Sequence, residues 1–145
     1  MYTIGQVSQM TGLPVSTLRY YDQQGLFPEL RKESGIRKFT DRELDILKMV
    51  ECLKSSGLEL RDIRQFIHWC AEGSATYPQR KAMFLKQKEV VEGEIQSLEK
   101  TLNMLRFKCW YYEQAIQDGS EDRIKAMLPD QLPPDIQALY DRGRA

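Results

Sequence analysis

Gly12-Leu13-Pro14-Val15-Ser16-Thr17-Leu18-Arg19-Tyr20-Tyr21-Asp22-Gln23-Gln24-Gly25 reads as a break, a short helix and a stop. Gly12 and Pro14 interrupt what precedes them, Pro14 or Val15 opens a helix, and Gly25 ends it as a C-terminal glycine. Upstream, Thr3 is placed to cap a first helix running through Val7 to about Met10. Two short helices joined by a tight glycine-bearing turn form the pattern of a helix-turn-helix, whose second helix lies in the DNA major groove. Here that helix offers Ser16, Thr17, Arg19, Tyr20 and Tyr21. Arginine is the commonest specific reader of guanine edges, and hydroxyl groups contact bases or phosphates. The adjacent tyrosines point to different sides, so Tyr20 is assigned to a phosphate and Tyr21 to packing.

Downstream, Phe27 to Phe39 carries Pro28 and Ser34-Gly35 between short polar arms, which predicts a small β-hairpin. From Leu30 to Arg42 the basic residues Arg31, Lys32, Arg37, Lys38 and Arg42 outnumber Glu33 and Asp41. This local excess matters because the whole chain balances 21 basic against 21 acidic residues. Thr40 with Glu43 is a capping box, and it starts a third helix that buries Ile46, Leu47, Val50 and Leu53. That helix stops near Ser55-Ser56-Gly57. A fourth begins near Glu59, with Leu60, Ile63, Ile67 and Cys70 on one face. Glu72-Gly73-Ser74 is the first plausible hinge.

Beyond Tyr77-Pro78 the pattern changes. Phe84, Lys88, Val91, Ile95, Leu98, Leu102, Leu105, Cys109 and Tyr112 follow one another in steps of four and three. Four heptads exceed the three usually asked of a coiled coil, although Lys88 and Gly93 weaken the N-terminal half. A helix from about Gln79 to Gln117 is roughly 58 Å long at ~1.5 Å per residue. Its narrow stripe needs a partner, and the simplest is the same helix of a second chain. Val91, Ile95, Leu98, Leu102, Leu105, Cys109 and Tyr112 are the expected dimer seam. The chain is expected to divide into a DNA-binding domain over 1–72, a dimer helix over 76–117 and a short tail over 118–145, where Ile136, Leu139 and Tyr140 sit at helical spacing in a last segment that either docks back on the dimer or is loosely held.

The 145 residues are 41% hydrophobic and 29% charged, a globular balance. No apolar run approaches the roughly 18 residues of a membrane helix, and the N-terminus lacks the order of a signal peptide. A cytoplasmic location with no membrane partner is expected. Cys52, Cys70 and Cys109 are odd in number and widely spaced, which favours free thiols. One histidine, no nucleotide loop and no convergent acid pair argue against an enzyme, and nothing asks for a cofactor.

Taken in order, Thr3-Ile4-Gly5-Gln6-Val7, Thr11-Gly12, Leu18-Arg19-Tyr20-Tyr21-Asp22, Gly25-Leu26, Gly35-Ile36-Arg37-Lys38-Phe39 and Gly57-Leu58-Glu59-Leu60-Arg61-Asp62-Ile63 resemble the MerR family of regulators. The resemblance covers about Met1 to Cys70, and the long helix fits that family's dimerisation helix. It implies a mainly α protein: a winged helix-turn-helix followed by a long antiparallel coiled-coil helix. It further implies a homodimer that bends and untwists double-stranded promoter DNA so that RNA polymerase engages it, a readout through deformation energy. Carried over by position, Thr17 and Arg19 are groove contacts, with Ser16 beside them. Tyr20 is a phosphate contact, Arg31, Arg37 and Lys38 are wing contacts, and Arg61 contacts DNA from the fourth helix. The family's wing usually carries tyrosine where Ile36 and Phe39 stand, so the wing must rest more on its basic residues.

For the signal, metal-sensing relatives use a cysteine at the start of the dimer helix and a pair beyond its end, and this chain has no cysteine after Cys109. Drug-sensing relatives carry a large C-terminal domain, which about thirty residues cannot supply. Cys70 and Cys109 lie on apolar stripes and are expected to be small buried hydrophobes. Cys52 points about 140° away from its helix's core face, at 100° per residue. Lys48, one turn earlier, is placed to favour a thiolate, while Glu51 and the helix C-terminus oppose it. Glu51-Cys52-Leu53-Lys54, with Phe66 to Cys70 and Lys108 to Glu113, resembles a MerR subgroup that responds to aldehydes and other electrophiles. That resemblance makes Cys52 the candidate sensor. The alternatives are a metal- or redox-responsive regulator, a regulator with no effector, and a coiled-coil adaptor that no longer binds DNA.

Overall fold

The computed structural model describes residues 1–145 as two compact units, Met1–Lys88 and Glu89–Ala145. In the first, α1 (Ile4–Thr11) and α2 (Val15–Gln23) lead into the strands β1 (Arg31–Glu33) and β2 (Ile36–Lys38), then α3 (Asp41–Ser55) and α4 (Leu60–Glu72). A 3-10 turn at Ser74–Thr76 opens α5, which runs from Tyr77 to Asp118. The second unit holds the rest of α5 with α6 (Asp122–Met127) and α7 (Pro134–Arg144). No helix is long and apolar enough to cross a membrane.

The ends of the helices follow from their capping residues. Thr3 Oγ1 accepts from the Gln6 N–H at 3.2 Å, and the Gln6 side chain accepts from the Thr3 N–H at 2.9 Å. Gly12, with φ of 75°, stops α1. The hairpin pairs Arg31 with Lys38, Lys32 with Arg37 and Glu33 with Ile36. Its turn places Ser34 and Gly35 at φ of 52° and 78°, the left-handed pair that a two-residue hairpin requires. Tyr2 bridges Phe39 through two backbone hydrogen bonds of 2.7 and 2.9 Å, so the N-terminus is stitched to the end of the wing.

The core of this unit gathers Val7, Leu18, Tyr21, Leu26, Phe27 and Phe39 with Leu47, Val50, Leu53, Ile63, Phe66 and Ile67. Phe27 meets Phe39 edge-on at 5.7 Å. Ile46, expected inside, is only partly buried at the core's edge. The expected hinge at Glu72-Gly73-Ser74 is a tied corner. Arg80 donates to Thr76 Oγ1 at 2.9 Å and to the carbonyls of Trp69 and Gly73 at 2.8 Å each. They add to the bonds that the Thr76 hydroxyl makes to the same two carbonyls, which closes the end of α4. Phe84 packs on Phe66 at 5.1 Å, and Gln87 donates to the Ser56 carbonyl. The opening turns of α5 therefore belong to the first unit, which runs to Lys88.

The residues expected to form a short tail fold onto their own helix. Phe107 and Tyr111 of α5 bury Ile124, Leu132 and Ile136, with Trp110, Met127, Leu139 and Tyr140 around them. Phe107 meets Tyr140 at 4.9 Å. Tyr111 donates to Glu121 at 2.8 Å, and Arg123 donates to Asp118 and Gln114 at 2.7 and 2.9 Å. Gly143 lies so near α5 that an added Cβ would meet the Met104 backbone at 3.0 Å.

Candidate nucleic-acid interface

Helical periodicity splits α2 in two. Leu18 and Tyr21 face the core, while Ser16, Arg19 and Tyr20 are exposed and Thr17 is half-buried. Tyr20 leaves half of its surface in solvent. The expected groove contacts thus share one accessible face. The wing adds positive charge on both faces of its ribbon, since Arg31 opposes Lys38 and Lys32 opposes Arg37. Like charges directly across a strand pair repel and need a counter-charge. Asp22 of α2 supplies it, accepting from Arg37 Nε at 2.8 Å with Lys32 Nζ at 3.5 Å. Arg37, an expected DNA contact, spends its Nε tying the wing to α2. Arg31 is exposed, Lys38 is half-buried, and Arg61 pairs loosely with Glu59 at 3.0 Å with both side chains in solvent.

A second tie holds α2 to α3. The Tyr21 hydroxyl donates to Glu51 at 2.9 Å and accepts from Lys54 Nζ at 2.9 Å. Burial pushes the Tyr21 hydroxyl above its ordinary pKa, and the Glu51 carboxylate adds to that against the opposing pull of Lys54. The hydrogen bond to Tyr21 raises the Lys54 ammonium in turn. Sequence reasoning placed Tyr21 in packing but gave no role to Asp22 or Lys54. Their partners lie 15 and 33 residues away, beyond what periodicity registers.

Cys52 is exposed on α3, between Glu51 and Lys54. Cys70 and Cys109, expected to be buried, are exposed as well. Cys70 shares the helical direction of Ile63 and Ile67, but it lies in the last turn of α4 and outside the buried core. Cys109 stands on the open face of α5. On that face Ile95, Leu98, Leu102, Leu105 and Tyr112 are exposed and Val91 is half-buried. Ile116, 82% exposed, carries the four-three rhythm one step beyond Tyr112. No cluster of three or more histidine, cysteine or carboxylate groups stands ready for a metal within the chain.

The model described as MerR HTH family regulatory protein matches residues 2–68. An uncharacterized HTH-type transcriptional regulator of Haemophilus influenzae is 35% identical over 133 residues, covering 91% of this chain and 96% of that protein. The chain belongs to the MerR family. Within it, the HTH-type transcriptional regulator AdhR of Bacillus subtilis is 31% identical over 87 residues, 59% of this chain and 62% of that protein. The regulator ZntR of Escherichia coli is 30% identical over 118 residues, 75% of this chain and 81% of that protein. A crystal structure of HiNmlR, described as a MerR family regulator lacking the sensor domain and bound to promoter DNA, matches with a TM-score of 0.65 at 33% identity. It covers 84% of this chain and 98% of that one. As a MerR protein the chain is a DNA-binding transcription regulator and not an enzyme.

Proposed function

We propose that this MerR protein acts in the cytoplasm as a homodimer, joined by an antiparallel coiled coil of α5, that distorts promoter DNA for RNA polymerase and responds to aldehydes or other electrophiles at Cys52. The observation that carries the sensing step is the bridge from α3 to α2: the two residues that hold the Tyr21 hydroxyl, Glu51 and Lys54, flank the exposed Cys52. Addition of the Cys52 thiol across an aldehyde carbonyl forms one C–S bond, with the thiol proton ending on the new hydroxyl. The adduct adds bulk and a polar group to the turn of α3 that supplies Glu51 and Lys54, and through that turn bears on the recognition helix. Ser16, Thr17 and Arg19 read the groove, while Tyr20, Arg31, Lys38, Arg37 and Arg61 hold the DNA backbone.

Gel retardation and in vitro transcription on the chain's own upstream region, with and without formaldehyde, test this reading. Cys52→Ser should leave DNA affinity within about twofold, since surface substitutions cost within ~0.5 kcal/mol, and abolish the aldehyde response. An unchanged response in that variant sinks the sensor assignment. A response to zinc(II) that survives the variant points instead to a metal-responsive regulator, and no response to either describes one without an effector.

A further inference from the structure

Between the C-terminal end of α2 and the outer face of α4 lies a concavity of about 350 Å³. Gln23, Gln24, Arg61, Arg64, Gln65 and His68 line it, with Gly25 at its edge. On α4 the last four of these span an arc of about 100°, at 3.6 residues per turn. That arc lies opposite Ile63, Phe66 and Ile67, which face the core. An outward polar face is ordinarily only a solvated one. Three observations set this one apart. The end of α2 makes it concave, and no carboxylate lines it. Arg64 has no ion-pair partner, and its stem rests against Gly25, where an added Cβ would come within 3.7 Å of Arg64 Cδ. Arg61 is held only by an exposed pair with Glu59, the kind worth least in water. Glu72, in the last turn of α4, shares the helical angle of this arc but does not line the concavity.

Two guanidinium groups, one imidazole and three carboxamides offer many N–H donors to one space. Such a set suits an anion with several acceptor oxygens. We propose that this concavity binds a phosphate group, with Arg64 and Arg61 as its charged ligands and His68 and the glutamines as further donors. Two sources carry that chemistry: a backbone phosphate of bound DNA, which rests on the DNA-binding reading above, or a free phosphate ion.

Arg64→Ala distinguishes them, with unchanged circular dichroism showing that the exposed substitution leaves the fold intact. If DNA supplies the phosphate, the variant weakens binding about equally on specific and non-specific sequences. The slope of log affinity against log salt then falls by about one. If a free ion is bound, inorganic phosphate gives a saturable shift of the His68 imidazole resonances at constant ionic strength, and the variant abolishes it. His68 is the chain's only histidine, so the probe is unambiguous. An unchanged salt slope together with no saturable shift overturns the proposal. Failure of the DNA-binding reading looks different, because the unmodified protein would then not bind its promoter at all.

Discussion

Met1–Lys88 joins distant parts of its chain with polar bonds around a core in which aliphatic side chains outnumber aromatic ones: Tyr2 to Asp41, Tyr21 to Glu51 and Lys54, Arg37 to Asp22. Glu89–Ala145 is held by an aromatic centre, with Phe107 touching Trp110, Tyr111 and Tyr140. The contrast follows from what each unit must present. The first has to fix a helix and a wing against each other while leaving their outer faces polar, so its ties are side-chain hydrogen bonds at the rim. The second has only to cover one side of a helix, and large rings do that with few residues. What remains is the other side of α5, apolar and uncovered from Ile95 to Ile116.

The largest test falls on that uncovered side. Leu102→Glu places a charge in the proposed seam of both copies and should weaken the dimer by roughly 4 kcal/mol, about a thousandfold in Kd. Sedimentation velocity reads it, and a dimer of unchanged strength would remove this stripe from the seam. Next, Phe107→Ala should cost about 3–5 kcal/mol as a core truncation. Hydrogen exchange should rise in α6 and α7 while α1 to α4 keep their protection. Equal loss in both regions would show that the two units unfold as one. Tyr21→Phe removes a hydroxyl between two charged groups and should cost about 1–2 kcal/mol in chemical denaturation. Its signature is raised exchange in α2, with the second unit untouched.

The smallest effect is set by pH. Burial pushes the Glu43 carboxyl up, but hydrogen bonds from the Thr40 hydroxyl and N–H and from its own N–H, with Arg42 nearby, outweigh burial and leave it below its ordinary value. The ionised form therefore stabilises the first unit above the ordinary value of 4.5, and that share is lost as pH falls through the depressed one. Glu43→Gln should flatten the acid limb of stability against pH. In the second unit the bond to Glu121, followed by burial, pushes Tyr111 up to about 12. Its contribution is complete below 10 and disappears as pH rises toward that value. Tyr111→Phe should flatten the alkaline limb, read as exchange in α6 and α7.

The elements of the first unit were legible because local chemistry writes them. Thr3 with Gln6 and Thr40 with Glu43 are caps within four residues, and Ser34-Gly35 is a turn that any hairpin of that length needs. The candidate contacts on α2 were legible for the same reason, since Leu18 and Tyr21 mark the inward side. The ties were not, because Asp22 and Lys54 find partners only after folding. In α5 the four-three rhythm drew attention to one stripe, while Phe107, Trp110 and Tyr111 lie off it and gave no separate signal. The spacing of Ile136, Leu139 and Tyr140 therefore left docking and a loose tail both open, and nothing local gave the reason for Gly143, which fits where α7 runs close to Met104.

The two-sided use of α5 bears on the order of assembly. An isolated helix is marginal in water because its first turn is costly to form. Here the stretch around Phe107 gains contacts from its own chain, so it holds its helix before any second copy arrives. In the proposed homodimer, pairing then becomes a docking of preformed surfaces, second order in protein concentration. Newly made chains would mature in two steps, one independent of how many copies the cell holds and one set by that number.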